Sequence, residues 1–474
     1  MTKFFIDQHG CAKNQTDGEL IVGYLTKNGF ELTQNAEEAD YIIVNSCGFI
    51  ESAKKESIDA VYNIKAAYPD AKIILTGCLA ERYSQMLFES MPELDGIFGN
   101  GDISKIVDFM KSVEKDRTVE VHPQENVCGG ERPTLFNFPG SAFVKITEGC
   151  SNHCSFCAIP LIRGELRSRK KEEILEEIKS LVKDGVYEIN LIGQDLAAYG
   201  TESGFVKDDQ KLSPLAKLLQ EISAIEGNFI IRPLYIHPDH FNKDILSVMK
   251  ADRRFVPYFD IPFQSGDDEI IHKMNRVGSQ EKYINLVKSI REVFPEAVLR
   301  TTFLTGFPGE SDKAAENTYN FLNAIEPQWS GCFPYSREEN TPAYDMKGRV
   351  SSKVAAKRAE KLETRQTELT VAKLEKYIGQ NLNILVEEII DVDPETAEDV
   401  TEGLAIGRAW FQAPDVDGCV VIRYDRDIES DMNAVKPGNV VNVKIIASTG
   451  VDLDGRFEKI VCELKKTDNR KYTM

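Results

Sequence analysis

No stretch of this 474-residue chain approaches the roughly 18 consecutive apolar residues that a membrane-spanning helix needs. The amino-terminal MTKFFIDQHGCAKN lacks a long apolar core followed by a small-residue cleavage site, so no secretory leader is read there. These two absences lead to the expectation of a cytoplasmic protein with no membrane partner. In a reducing compartment the ten cysteines are then expected to serve metal binding or catalysis, not disulfides. Positive charge is also short: 57 Lys and Arg stand against 76 Asp and Glu, a net −19. A protein that grips nucleic acid through its phosphates needs a basic surface, so this balance counts against that class and favours a basic partner. A last absence is local. EGCSNHCSFC, residues 148–157, carries Cys150, Cys154 and Cys157 as Cys-x3-Cys-x2-Cys, and no fourth cysteine follows nearby.

The chain is long enough for two or three domains. Residues 1–115 read as an α/β domain with a parallel sheet. Strands in KFFIDQHGC, DYIIVNSC and AKIILTGC alternate with helices in 51–68 and 79–91 and with one capped by Asn14 that runs to Gly29. Cys11, Cys47 and Cys78 each follow a strand at its carboxyl end, the edge where open α/β sheets bind ligands. They are expected to converge on one site; the competing reading is three buried cysteines acting as small apolar side chains. Residues 116–140 are polar, with Gly and Pro, and read as a linker. Residues 141–350 hold six further strand–helix units, which imply a full or partial α/β barrel with its chemistry at the strand carboxyl ends. The EGCSNHCSFC loop follows the first of these strands. Residues 351–376 read as a polar helical connector. Residues 377–468 hold short strands broken by DVDG, KPGN and DLDG, the pattern of a small all-β barrel. This last segment carries nineteen Asp and Glu against nine Lys and Arg, a net −10.

Three thiolates are one short for a [4Fe–4S] cluster, which normally takes four. One iron then keeps an open position, as a catalytic metal requires and a structural one does not. The missing ligand is read as substrate or cosubstrate. The competing reading is structural zinc on Cys150, His153, Cys154 and Cys157, against which the spacing is tight for one tetrahedral site.

Cys-x3-Cys-x2-Cys after the first barrel strand, with Phe156 before the last cysteine, resembles the radical S-adenosylmethionine superfamily. GCAKNQTDGE, NSCGFIESAKKES and TGCLAERY ahead of such a barrel, with a TRAM-like β-barrel behind it, resemble the methylthiotransferases over nearly the whole chain. GCAKN, IPLIRGEL, GQDLAAYG, YFDIPFQ and YSREENTPAY look like the branch that modifies the β-carbon of an aspartate in the twelfth small-subunit ribosomal protein. The resemblance implies two [4Fe–4S] clusters, on Cys150, Cys154 and Cys157 and on Cys11, Cys47 and Cys78. It implies S-adenosylmethionine chelated at the open iron of the first, whose electron cleaves it to a 5′-deoxyadenosyl radical. The second cluster is the implied place of sulfur donation. An electron donor such as flavodoxin is expected. The ribosomal protein is the expected substrate and tRNA the less favoured partner. An acidic TRAM-like segment suits a basic protein better than phosphates; a merely solvated acidic face is the bland alternative. A non-catalytic iron–sulfur protein that binds ribosomal components is the alternative of another class.

Gln194 and Asp195 end the second barrel strand and Gln264 ends the fourth, positions that point to S-adenosylmethionine or substrate, or only to backbone groups needing partners. Gly306 and Gly309, in FLTGFPGE, are placed near the cosubstrate by the resemblance and otherwise form a tight turn. Arg163 and Arg167 follow the cysteine loop. They are read either as partners for a carboxylate or, more commonly for arginine, as surface residues. Cys128, Cys332, Cys419 and Cys462 are assigned no chemistry.

Overall fold

The computed structural model describes residues 1–125, 127–203, 212–391, 401–464 and 470–473. Strands β1 (Lys3–Gln8), β2 (Glu31–Leu32), β3 (Tyr41–Ser46), β4 (Lys72–Gly77), β5 (Gly96–Phe98) and β6 (Thr118–Glu120) form one sheet in the order β2-β1-β3-β4-β5-β6. Every pairing is parallel. Helices α1 (Ala12–Lys27), α2 (Glu51–Ala67), α3 (Cys78–Ser90) and α4 (Ile106–Val113) make the crossovers. β3 is buried along its whole length, as a central parallel strand covered on both faces must be. The order reverses at β1/β3, and open sheets bind ligands at the carboxyl ends beside such a point.

Three details differ from the sequence expectation. The sheet has six strands, not three, because β2, β5 and β6 are too short to show a period. The 116–140 linker opens with β6 and continues with β7 (Thr134–Leu135), which pairs with Lys471–Tyr472 near the other terminus. The cap of α1 is Cys11, not Asn14; the buried Asn14 amide instead donates to the carbonyls of His9, Asn45 and Ser46.

The central domain starts with β8 (Ser141–Lys145) and β9 (Thr147–Glu148). Then come α5 (Ile159–Arg163), β10 (Arg167–Ser168), α6 (Lys171–Lys183), β11 (Glu188–Ile192) and α7 (Pro214–Ser223). β12 (Ile230–Pro233), α8 (Asp244–Ala251), β13 (Tyr258–Asp260), α9 (Asp268–Lys273) and α10 (Gln280–Val293) follow. The last units are β14 (Val298–Thr305), α11 (Asp312–Ile325) and β15 (Trp329–Pro334). Parallel sheets β8-β11-β12 and β13-β14-β15 meet through the Ile231–Phe255 bridge, giving a six-stranded partial barrel in chain order. Its core is continuous with the inner faces of α6, α7, α10 and α11.

α12 (Ser352–Leu374) is more than a connector. Ala355, Ala359, Leu362, Gln366, Leu369 and Leu374, at helical spacing, are buried on one face of a helix that packs against β15. The last domain is a closed barrel of β16 (Asn381–Ile390), β17 (Glu402–Ala409), β18 (Val420–Asp425), β19 (Val440–Thr449) and β20 (Asp452–Cys462), ordered β16-β17-β18-β20-β19. DLDG is not a turn but the start of β20: Asp452 accepts from the Cys419 N–H and Asp454 receives Arg423, so its turn residues serve neighbouring strands. Part of this domain's expected span, residues 392–400 and 465–468, lies outside the described residues. No described helix is long and apolar enough to cross a membrane.

Candidate active site

The loop after β9 is a closed excursion. β9 and β10 pair antiparallel, Glu148 opposite Arg167 and Thr147 opposite Ser168, and pinch residues 149–166 at their base. Within it the Cys150 N–H donates to Gly164 O (3.0 Å) and the Cys157 N–H to Cys154 O (2.9 Å). The barrel fixes the outer side. Ser155 N–H reaches Met274 O at 3.0 Å, and Asn275 donates to His153 O at 2.9 Å. Phe156 packs among Ile270, Met274, Phe307 and Ala343, with the Arg276 guanidinium 5.9 Å from its ring centre. His153 faces outward at 3.5 Å from Glu165.

The second triad is assembled by the sheet. Cys11 lies beyond β1, Cys47 directly follows β3, and Cys78 directly follows β4 and begins α3. Gly77 turns the chain there at φ 90°, and a Cβ on it would meet Ser46 O at 2.5 Å. Cys47 feels the charges of Cys78 and Cys11, as Cys157 feels those of Cys154 and Cys150, so each triad is one electrostatic neighbourhood.

The short helix α5 serves both. At its start the Ile159 N–H donates to Cys157 Sγ at 3.4 Å; at its end, about 6 Å further along, Arg163 Nη2 donates to Cys78 Sγ at 3.2 Å. Cys78 packs on Ala158 and Ile162 of the same segment. Arg163 is therefore not a surface arginine: it is 2% exposed. Its other nitrogen holds Asp17 Oδ2 (2.5 Å) and Glu148 Oε1 (3.0 Å), and Lys145 holds the second oxygen of each. Burial acts to raise the Glu148 carboxyl, but Lys145 and Arg163 outweigh it and keep Glu148 ionised. This four-charge cluster joins the first domain to the barrel. Arg82, which reaches Glu338 at 2.7 Å beyond β15, is a second fastening. Arg167 binds the carbonyls of Arg163 and Glu165.

At the strand ends the structure sorts the remaining expected residues. Asp195 has both oxygens engaged, receiving the Ala197 and His237 N–H groups on one and Asn152 and His240 on the other. Through Asn152 it anchors the cysteine loop. Gln194 donates to Glu148 Oε1 at 3.2 Å, while its Oε1, like Gln264 Oε1 and Thr147 Oγ1, is buried with no partner among the described residues. Gly306 and Gly309 form a turn at φ 75° and 86°, with the Gly306 N–H on Glu310 and its α-carbon against Ala355 of α12. Sequence reasoning missed His237. Burial, then Arg276, push its pKa down to about 3, and its Nδ1 accepts the Asp239 N–H. The proton of the neutral ring is thus on Nε2, which stands 3.8 Å from Cys154 Sγ. Lys13, Asp17, Lys145 and Glu148 were missed as well; buried charge leaves no sequence signal beyond its rarity.

The side chains fit the implied groups. All six cysteines are free thiols. Burial pushes Cys47, Cys150 and Cys157 up to about 12, so the free side chains are neutral thiols. Among the described residues no three ligating side chains close on a single-ion position, the arrangement zinc needs. A [4Fe–4S] cluster instead spreads its thiolates over separate irons. The Gln194, Gln264 and Thr147 oxygens, without a partner among the described residues, are compatible with the N–H or O–H groups of a polar ligand such as S-adenosylmethionine.

Residues 3–99 match the model described as uncharacterized protein family UPF0004, residues 144–322 that of the radical SAM superfamily, and residues 378–457 that of the TRAM domain. The ribosomal protein uS12 methylthiotransferase RimO of Treponema denticola is 51% identical over 95% of this chain and 99% of its own length. That of Natranaerobius thermophilus is 37% identical over 94% and 97%. Among solved structures, the radical S-adenosylmethionine methyltransferase TsrM of Kitasatospora setae, with cobalamin and a [4Fe–4S] cluster bound, aligns with a TM-score of 0.53 at 13% identity, over 73% of this chain and 74% of its own. That likeness concerns the fold.

Proposed function

The chain belongs to the ribosomal protein uS12 methylthiotransferase family of radical S-adenosylmethionine enzymes, and from that premise we propose that it adds a methylthio group to the β-carbon of an aspartate in uS12. One observation carries the reading: two triads of free cysteines flank a single five-residue helix, which supports placing radical generation and sulfur delivery side by side. Cys150, Cys154 and Cys157 hold one [4Fe–4S] cluster, and Cys11, Cys47 and Cys78 hold a second. When bound, the first supplies the electron that cleaves S-adenosylmethionine to the hydrogen-abstracting 5′-deoxyadenosyl radical, and the second is the place of sulfur donation. The chain's own residues do the rest. Gln194, Gln264 and Thr147 offer oxygens at the barrel mouth, Asp195 and Asn152 hold the cysteine loop, and the Asp17–Lys145–Glu148–Arg163 cluster keeps the two domains in register.

The acidic β-barrel domain is proposed to receive the basic ribosomal protein. Not all of its acid is available: Glu387 holds Arg408, Glu402 and Asp454 hold Arg423, and Asp417 receives Tyr258. Glu388, Asp427, Glu429 and Glu458 are exposed and supply the docking charge. Reversing these four to lysine is expected to weaken uS12 binding by at least about tenfold at low salt; unchanged binding removes the docking role. We assign the protein to the cytoplasm, with a flavodoxin-type reductant as the electron source. The proposed activity is tested in cells. Deleting the gene should remove the methylthio mass from uS12, and restoring it should bring the mass back. Loss of methylthioadenosine from tRNA with uS12 untouched sinks the assignment.

A further inference from the structure

Lys13 occupies a place that costs stability on three counts. It is the second residue of α1, where the helix dipole disfavours a cation. It is buried, 9% exposed. And among the described residues it makes no ion pair; its Nζ rests 3.1 Å from the centre of the Tyr235 ring. Each of the other buried cations has at least one oxygen partner. Lys145 and Arg163 hold Asp17 and Glu148, Arg132 and Arg169 hold Glu177, Arg232 and Arg408 hold Glu188, and Arg276 holds two backbone carbonyls. Tyr235 is itself strained, at φ 63°, just beyond the end of β12. Cys11 lies two residues before Lys13 and Tyr235 just after β12, which places Lys13 between the second cysteine triad and the carboxyl end of a barrel strand; the charges of Cys11, Asp260, Arg163 and Glu148 act on it there. Asp260 is already turned to Arg300 at 3.6 Å. An ammonium carries three donors, and these have only an aromatic face. Local rules broken at one residue, without a compensating contact, mark a functional position.

We propose that Lys13 receives the side-chain carboxylate of the substrate aspartate and thereby makes this site select an acidic protein side chain. The inference rests on the uS12 reading above. The carboxylate carbon is bonded to the β-carbon that is modified, so fixing one fixes the other within a bond length of the reacting centre. A neutral isostere leaves the buried ammonium unpaired, which is where discrimination comes from.

The test uses the full chain with both clusters reconstituted and uS12 peptides carrying either the target aspartate or asparagine. Binding is read by fluorescence anisotropy and turnover by mass spectrometry. The wild type is expected to prefer aspartate by about 100-fold in kcat/KM. Lys13→Met should lose that preference and bind the aspartate peptide about 30-fold or more weaker. Lys13→Arg should keep the preference, showing that charge and not packing is at issue. Iron content and the electron paramagnetic resonance signals should match the wild type in both variants. A Lys13→Met protein that still prefers aspartate overturns the proposal. So does one whose second cluster is lost or shifted, because Lys13 then serves Cys11. If the wild type itself binds neither peptide, the substrate reading fails first, before Lys13 has been touched.

Discussion

The two cysteine triads solve the same ligation problem in opposite ways. The barrel triad lies within eight residues of one pinched loop, held by β9, β10 and the Met274–Asn275 segment. The other is spread over 68 positions, from Cys11 to Cys78, and exists only because three parallel strands end on one edge. Their surroundings differ in charge. Around the barrel triad stand a neutral His237 and oxygens with no partner among the described residues, while the Arg276 guanidinium acts on Cys150 and Cys157 without touching them and Asp195 opposes it at Cys150. Around the second stands the Arg163 guanidinium, in contact with Cys78 Sγ. Positive charge and N–H donors stabilise reduced iron–sulfur centres and raise their potential. The lesson is a division of labour. A strong reductant belongs in the less positive setting, and a centre that stabilises anionic sulfur belongs beside the guanidinium.

The largest effects should come from the cysteines themselves. Alanine at Cys150, Cys154 or Cys157 is expected to abolish 5′-deoxyadenosine release and to remove about four irons per chain. Alanine at Cys11, Cys47 or Cys78 should remove a similar amount of iron and all methylthiolation, yet leave 5′-deoxyadenosine release in place. If both sets stop release, the division of labour is wrong. Arg163→Met comes next. It strands Asp17 and Glu148 in the interior, and thermal or denaturant unfolding should show a loss of about 3–5 kcal/mol. Arg163→Lys should keep most of that stability while losing the contact with Cys78; its second centre should then titrate at lower potential, with the first unmoved. His237→Leu is the mirror test. Loss of an N–H donor to Cys154 worth about 1.5 kcal/mol corresponds to a fall of roughly 60 mV in the barrel centre alone, read by potentiometric titration. The smallest effect lies at the junction of the barrel with the last domain. Burial raises the Asp417 carboxyl from 3.8 to about 6. A carboxyl raised on folding contributes stability that is complete below its unfolded value and is lost as pH rises through about 6. Melting between pH 5 and 7.5 should therefore fall as pH rises, by an amount on the order of 2 kcal/mol. Asp417→Asn should flatten that slope, and a slope that survives the substitution assigns it elsewhere.

The same contrast decides what the sequence could reveal. A ligand set confined to one loop is written in consecutive letters, so Cys150, Cys154 and Cys157 are legible directly. The other set is legible only through the strands that precede it, and the parallel sheet was readable because β1, β3 and β4 are long apolar runs. Strands of two or three residues, such as β2, β5 and β6, carry no period, and that is why 116–140 looked like a linker. The DLDG of β20 misleads because Asp and Gly are turn residues whose side chains here serve neighbouring strands. The buried charges were hidden for another reason. Arg163, Asp17, Lys145 and Glu148 stand beside one another only after two domains dock, and a single arginine in a polar loop reads as surface. His237 and Lys13 are equally silent in sequence: what marks them is the partner each has or lacks in space.

The most direct measurement is an anaerobic reaction of the reconstituted wild type and its Cys78→Ala variant with S-adenosylmethionine, a strong reductant and purified uS12, followed by intact mass and fragment spectra. The account predicts one methylthio group on an aspartate with the wild type, and unmodified uS12 alongside 5′-deoxyadenosine with Cys78→Ala. Methylthiolated uS12 from the variant, or unmodified uS12 from a wild type that releases 5′-deoxyadenosine, would contradict it.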